Sequence, residues 1–110
     1  MVSDRGSGTV LSIAIVAATV LLTAMTLPLA SAFAQRHAIA AAADAAALAA
    51  ADVAAGVAPG YPCAVARRVA ESNGAGLSSC EVDGLVATVS ASASVLGLTV
   101  TMRATAGPPG

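Results

Sequence analysis

Hydrophobic and polar positions follow four different rules along this chain. No charged residue occurs between Arg5 and Arg36, and the centre of that gap, Thr9 to Ala34, is mostly Val, Leu, Ile and Ala. A helix crosses a bilayer with about 20 apolar residues at about 1.5 Å rise each, so the pattern predicts a transmembrane helix over 9–34. A soluble helix of this kind would have to be buried on all sides, and the rest of the chain is too small to bury it. The second rule begins at Gln35. Between Ala38 and Ala55, 13 of 18 residues are alanine, the strongest helix former, with no Gly or Pro before Gly56. The helix is therefore expected to run on, from near Thr9 to near Ala55, as an alanine-rich rod kinked at Pro28. At 100° per residue, Phe33, His37, Asp44 and Leu48 fall near one stripe, with Asp52 at its edge and Ile39 and Val53 opposite. This arrangement gives no single strong amphipathic face. Alanine nevertheless lets another helix approach closely. Ala42, Ala43, Ala46 and Ala50 are thus candidate contacts for partner helices. The alternative is a weakly docked stalk.

The third pattern follows a Gly/Pro-rich break, "GVAPGYPC" (Gly56 to Cys63). "CAVARRVAESNG" reads as a short helix with Val65, Ala66, Val69 and Ala70 inward, Arg67, Arg68 and Glu71 solvated, and Asn73-Gly74 as its stop. The fourth pattern has period two. Asp83-Gly84 separates two β-prone runs as a type I′ hairpin turn would. Apolar residues then alternate at Leu85, Ala87, Val89, Ala91 and Ala93, and again at Leu96, Leu98, Val100, Met102, Ala104 and Ala106. The expected product is a three-stranded antiparallel meander with the short helix on its apolar face.

Composition narrows the class. Hydrophobic residues make up 57% of 110 residues, charged residues 10% and aromatics 2%, and the net charge is -1 with no lysine. No basic face for nucleic acid can be built from this inventory. No catalytic constellation occurs: one histidine, no base beside a nucleophile, and a "RGSGT" stretch without a P-loop lysine. An enzyme, a cofactor and a small-molecule substrate are therefore not expected. His37 beside Arg36 reads as an interfacial polar cap, and Asp44 and Asp52 diverge by about 80° on a helix, too far for a carboxylate pair. Cys63 and Cys80 are the only cysteines. An even pair in a module too small for a good core reads as a disulfide, the other reading being two unrelated thiols. With one remote histidine a metal site is not expected.

Position in the cell follows from the same residues. Arg5 precedes the apolar run while Arg36 and His37 follow it, so positive charge leaves the orientation open. The cysteine pair points to an exported C-terminal part. "ASA" (Ala30 to Ala32) and "AFA" (Ala32 to Ala34) both fit a signal-peptidase site, whereas the apolar run exceeds the usual signal-peptide core.

"DRGSGTVLSIAIVAATVLL" followed by "QRHAIAAAADAAALAAAD" resembles the TadE/TadG-like proteins of Flp (tight adherence) pilus assembly. The nearest resemblance is to the short actinobacterial branch called helicase/secretion neighbourhood TadE-like. The similarity rests on Arg5-Gly6-Ser7, the apolar run and "AADAAALAAA" (Ala42 to Ala51). It extends more loosely to Cys80, Asp83-Gly84 and the ending "ATAGP". It implies a pilin-like or secretion-apparatus subunit that meets other subunits through its helix. It also implies possible processing between Gly6 and Ser7. Type IV pilin-like precursors carry glutamate fifth after such a cut, and Leu11 stands there in this chain.

The expected architecture is α+β. Residues 1–8 are a cytoplasmic leader, 9–34 a transmembrane helix, 35–55 an alanine-rich helical extension, and 56–110 a small extracytoplasmic helix plus β-meander module. Two functions fit: a membrane-anchored minor pilin-like or pseudopilin-like component, or a small secreted or surface-bound binding protein released by cleavage near Ala34.

Overall fold

The computed structural model describes the backbone of residues 2–109 and the side chains of residues 6–109. Five elements follow in chain order: α1 (Val2–Ala54), α2 (Pro62–Ser72), β1 (Gly76–Asp83), β2 (Val86–Val95) and β3 (Leu98–Ala106). The sheet is an antiparallel meander in the order β1-β2-β3. The α+β class, the long N-terminal helix, the short helix and the three strands are as the sequence pattern predicts. Helix α1 starts at Val2 rather than near Thr9, so residues of the expected leader are already helical, and it continues through Pro28.

The chain divides into two compact units between Ala32 and Phe33. The first is the helical segment that ends at Ala32. In it Val10, Leu11, Ile13, Val16, Leu21 and Met25 are all exposed. Its hydroxyls turn back onto their own helix: Ser12 donates to the Gly8 carbonyl at 2.9 Å, Thr19 to Ile15 at 2.8 Å and Thr23 to Thr19 at 2.9 Å. Such i−4 bonds satisfy a polar side chain without water or a partner.

The second unit holds the rest of α1 together with α2 and the sheet. Here Ile39, Ala42, Ala43, Ala46, Ala47, Ala50 and Val53 are buried. Their spacing of three and four residues makes one helical face. Opposite it, Ala41, Asp44, Leu48 and Asp52 are exposed. The sheet side of the core is Ala87, Val89, Ala91 and Val95 of β2 with Ala104 of β3. One cleft brings Ile39 beside Val95, and another brings Asp52 and Ala55 beside Leu85. The part of α1 in this unit therefore runs antiparallel to β2. The expected boundary at residue 55 does not separate two folded parts: the alanine-rich segment belongs to the module, and the apolar face of the sheet is covered by α1 as well as α2.

Local chemistry sets the breaks. Gly56, at φ +79°, ends α1 in the left-handed region, where the Val57 N–H reaches the Asp52 carbonyl at 2.9 Å. Pro62 opens α2 at a position whose N–H would have no helical partner. At the other end the Asn73 side chain donates to the Val69 carbonyl at 2.8 Å, and the Ala75 N–H donates to the Ala70 carbonyl at 3.0 Å. Ser78 is an extra residue in β1. This bulge lets Leu77 and Cys80, three apart, both pair with inward residues of β2, Ala91 and Val89.

The two hairpin turns differ from expectation. Asp83 pairs with Val86, so the first turn is Gly84–Leu85 with positive φ confined to Gly84. That fits type II′ and not the expected type I′ at Asp83-Gly84. The second turn is Leu96–Gly97, with φ +52° and +79°. Two successive positive values fit type I′. Leu96 was expected to open the last strand, which instead begins at Leu98.

Candidate functional site

Three groups of residues singled out in the sequence can be located. Cys63, in the first turn of α2, is bonded to Cys80 in β1, with Cα atoms 5.8 Å apart. That separation is ordinary for a disulfide. Both residues are half-buried, so the bridge sits at the seam between α2 and the sheet. In the chain-entropy model a closed loop of this length contributes about 3 kcal/mol, which is large for a module of this size.

Ala42, Ala43, Ala46 and Ala50 are each 0% exposed. They form a close-contact surface, but the surface is occupied by the chain's own sheet and short helix. A partner helix cannot reach them while the module is folded. These methyl side chains face a sheet whose inward residues are themselves mostly alanine and valine. The outward face of the same segment carries Arg36, His37, Asp44 and Asp52, all exposed.

Gly6 and Ser7 lie on α1, beside Val10, Leu11 and Ala14 on its exposed surface. The peptide bond between them is inside the hydrogen-bonded helix. The three groups are not brought together: the cysteines and alanines build one core, and Gly6 and Ser7 belong to the other unit.

No protein-family model, curated protein or solved structure matches the chain. Among the described residues no group of three or more His, Cys, Asp or Glu side chains gathers as a metal ion would require. Among the described residues most exposed large apolar side chains lie on the first half of α1, and this helix is long and apolar enough to cross a membrane. Contiguous exposed apolar area of this kind marks a lipid or protein contact. A third feature had no signal in the hydrophobic pattern: the Leu96–Gly97 turn, where a bulky residue takes a backbone conformation that favours glycine or asparagine.

Proposed function

We propose that this chain is a non-enzymatic, membrane-anchored, pilin-like or pseudopilin-like component of a Flp/Tad-type pilus or secretion apparatus. Its N-terminus is cytoplasmic and its disulfide-bonded module extracytoplasmic. The observation that carries this reading is the division of α1: the large apolar side chains of residues 9–34 are exposed, while the alanine-rich segment is enclosed in a folded head. A bare apolar helix attached to a small stapled head suits a subunit held by lipid and by the helices of neighbouring subunits. Contacts with those neighbours fall on 9–34 and not on the buried alanines. The disulfide supports export of the head, because such bridges persist outside the cytoplasm. The resemblance of the first half to TadE-like proteins supports the choice of apparatus.

A second reading has its own observation. The compact head begins at Phe33, beside the two sites that fit signal peptidase, so cleavage near Ala34 would leave every buried alanine in place. The protein would then be a secreted or surface-bound binding module. The mass of the mature protein in its native host separates the two. An intact chain, or one lacking residues 1–6, supports the anchored subunit. A chain beginning near Gln35 contradicts it and supports release.

A further inference from the structure

The two hairpin turns lie at opposite ends of α1's buried segment. The Gly84–Leu85 turn is near the end of α1, where Leu85 shares a cleft with Asp52 and Ala55. It is flanked by the exposed charges Glu81 and Asp83. The Leu96–Gly97 turn is at the beginning, because Val95 and Ala93 share a cleft with Gln35, Ala38 and Ile39. No charged residue occurs from Leu85 to Met102. At this second tip Leu96 is 71% exposed and Leu98 72% exposed. Leu96 also holds φ +52°, a region in which a bulky L-residue is disfavoured and Asn or Gly is the usual choice. A turn in water gains nothing from leucine there. Local rules broken without a packing gain point to function.

The level of the tip along α1 identifies what it meets. The apolar run of α1 ends at Ala34, and charge returns at Arg36 and His37. A bilayer surface would lie at these residues, where a cationic side chain such as Arg36 reaches the headgroups. Phe33 to Ile39 belong to the same compact unit as the hairpin. Beyond the Val95–Leu98 pair the turn reaches about 3 Å further along the direction from Ile39 to Gln35, one strand residue's rise. We infer that the Leu96–Gly97 hairpin tip is a second membrane contact, seating Leu96 and Leu98 in the headgroup–acyl boundary of the bilayer that holds the helix. This rests on the proposed membrane placement of residues 9–34. Two uncharged leucines suit that boundary, where apolar side chains are buried among lipid.

The test uses the full chain in nanodiscs of phosphatidylcholine and phosphatidylglycerol. Single cysteines carry an environment-sensitive fluorophore in Leu96→Cys, Leu98→Cys, Glu81→Cys and Val20→Cys. The native pair is bridged, so only the introduced thiol reacts. Probes at 96 and 98 should shift to the blue and be quenched by lipids spin-labelled near the headgroup. The probe at 81 should remain in water, and that at 20 should be quenched by lipids labelled deep in the chain. Position 98 has an ordinary strand conformation and reads the tip even if the strained position 96 tolerates no label. Adding Leu96→Asn, which suits the turn, should reduce the blue shift at 98. If 96 and 98 behave like 81 while 20 is quenched, the hairpin contact is wrong and the membrane anchor stands. If 20 is not quenched by lipid, the anchor itself fails and the inference with it. A blue shift at 98 without lipid quenching would mean a protein contact and would also overturn it.

Discussion

The two halves of α1 are one continuous helix with opposite surfaces. From Val10 to Leu29 more than half of the side chains are large apolar ones, and these are exposed. From Ile39 to Val53 they are mostly methyl groups and one face of them is buried. Greater hydrophobicity thus goes with less burial, the reverse of what a soluble core would show. The difference teaches that size, and not hydrophobicity alone, decides which partner a helix takes. Large side chains offer area to lipid or to other subunits. Alanine offers little area, and the sheet residues buried with it, Ala87, Val89 and Ala91, are small too.

The comparison breaks most readily at the staple. Replacing Cys63 and Cys80 by serine should remove about 3 kcal/mol from the second unit. Protection of residues 39–53 should fall with it, while the helix over 9–34, whose hydrogen bonds are its own, should be unchanged in micelles. Loss of helix in both halves would mean that they are not separate in stability. Thiol labelling of denatured, unreduced protein should find no free cysteine in the wild type.

A smaller effect is expected at the alanines. Ala42→Leu or Ala46→Leu should each destabilise the head by about 1–3 kcal/mol through overpacking, measured by denaturant unfolding of the full chain. Ala41→Leu, on the exposed side, should stay within about 0.5 kcal/mol of wild type. Cross-linking between copies should change only as far as the folded fraction does. Equal tolerance at all three positions would put the alanine face outside the core.

The fold class was legible because helix and strand periods differ and Gly/Pro clusters punctuate them. The cysteine pairing was legible because there is only one way to pair two. The core face of α1 was not, although its geometry was in plain view: Phe33, His37, Asp44 and Leu48 do mark the outside, and Ile39 and Val53 the inside. Alanine supplies no hydrophobic contrast, so the stripe between Ile39 and Val53 is invisible to any reading of hydrophobicity along the helix. It becomes visible only once the sheet is seen to need a cover. The Leu96–Gly97 turn was hidden for a related reason: leucine in a period-two run reads as strand, and only the backbone angles reveal a turn. The bulge at Ser78 had no sequence signal beyond a run of two serines.

A slighter perturbation sharpens the outer face of the sheet. The Thr88 and Thr105 hydroxyls lie 3.2 Å apart across β2 and β3. Thr88→Val should cost about 0.2–1 kcal/mol and leave α1 untouched. A cost as large as that of Ala46→Leu would mean that this face also has a cover.

The most direct measurement is amide hydrogen exchange on the full chain in bilayers, residue by residue, with denaturant added in steps. If the alanine-rich segment is a wall of the head's core, amides at Ala42, Ala46 and Ala50 open in the same cooperative step as those at Val89 and Ala91, with the same free energy. Amides at Ala42 to Ala50 that open before the sheet, or stay closed with the helix of 9–34 after the sheet has opened, would contradict it.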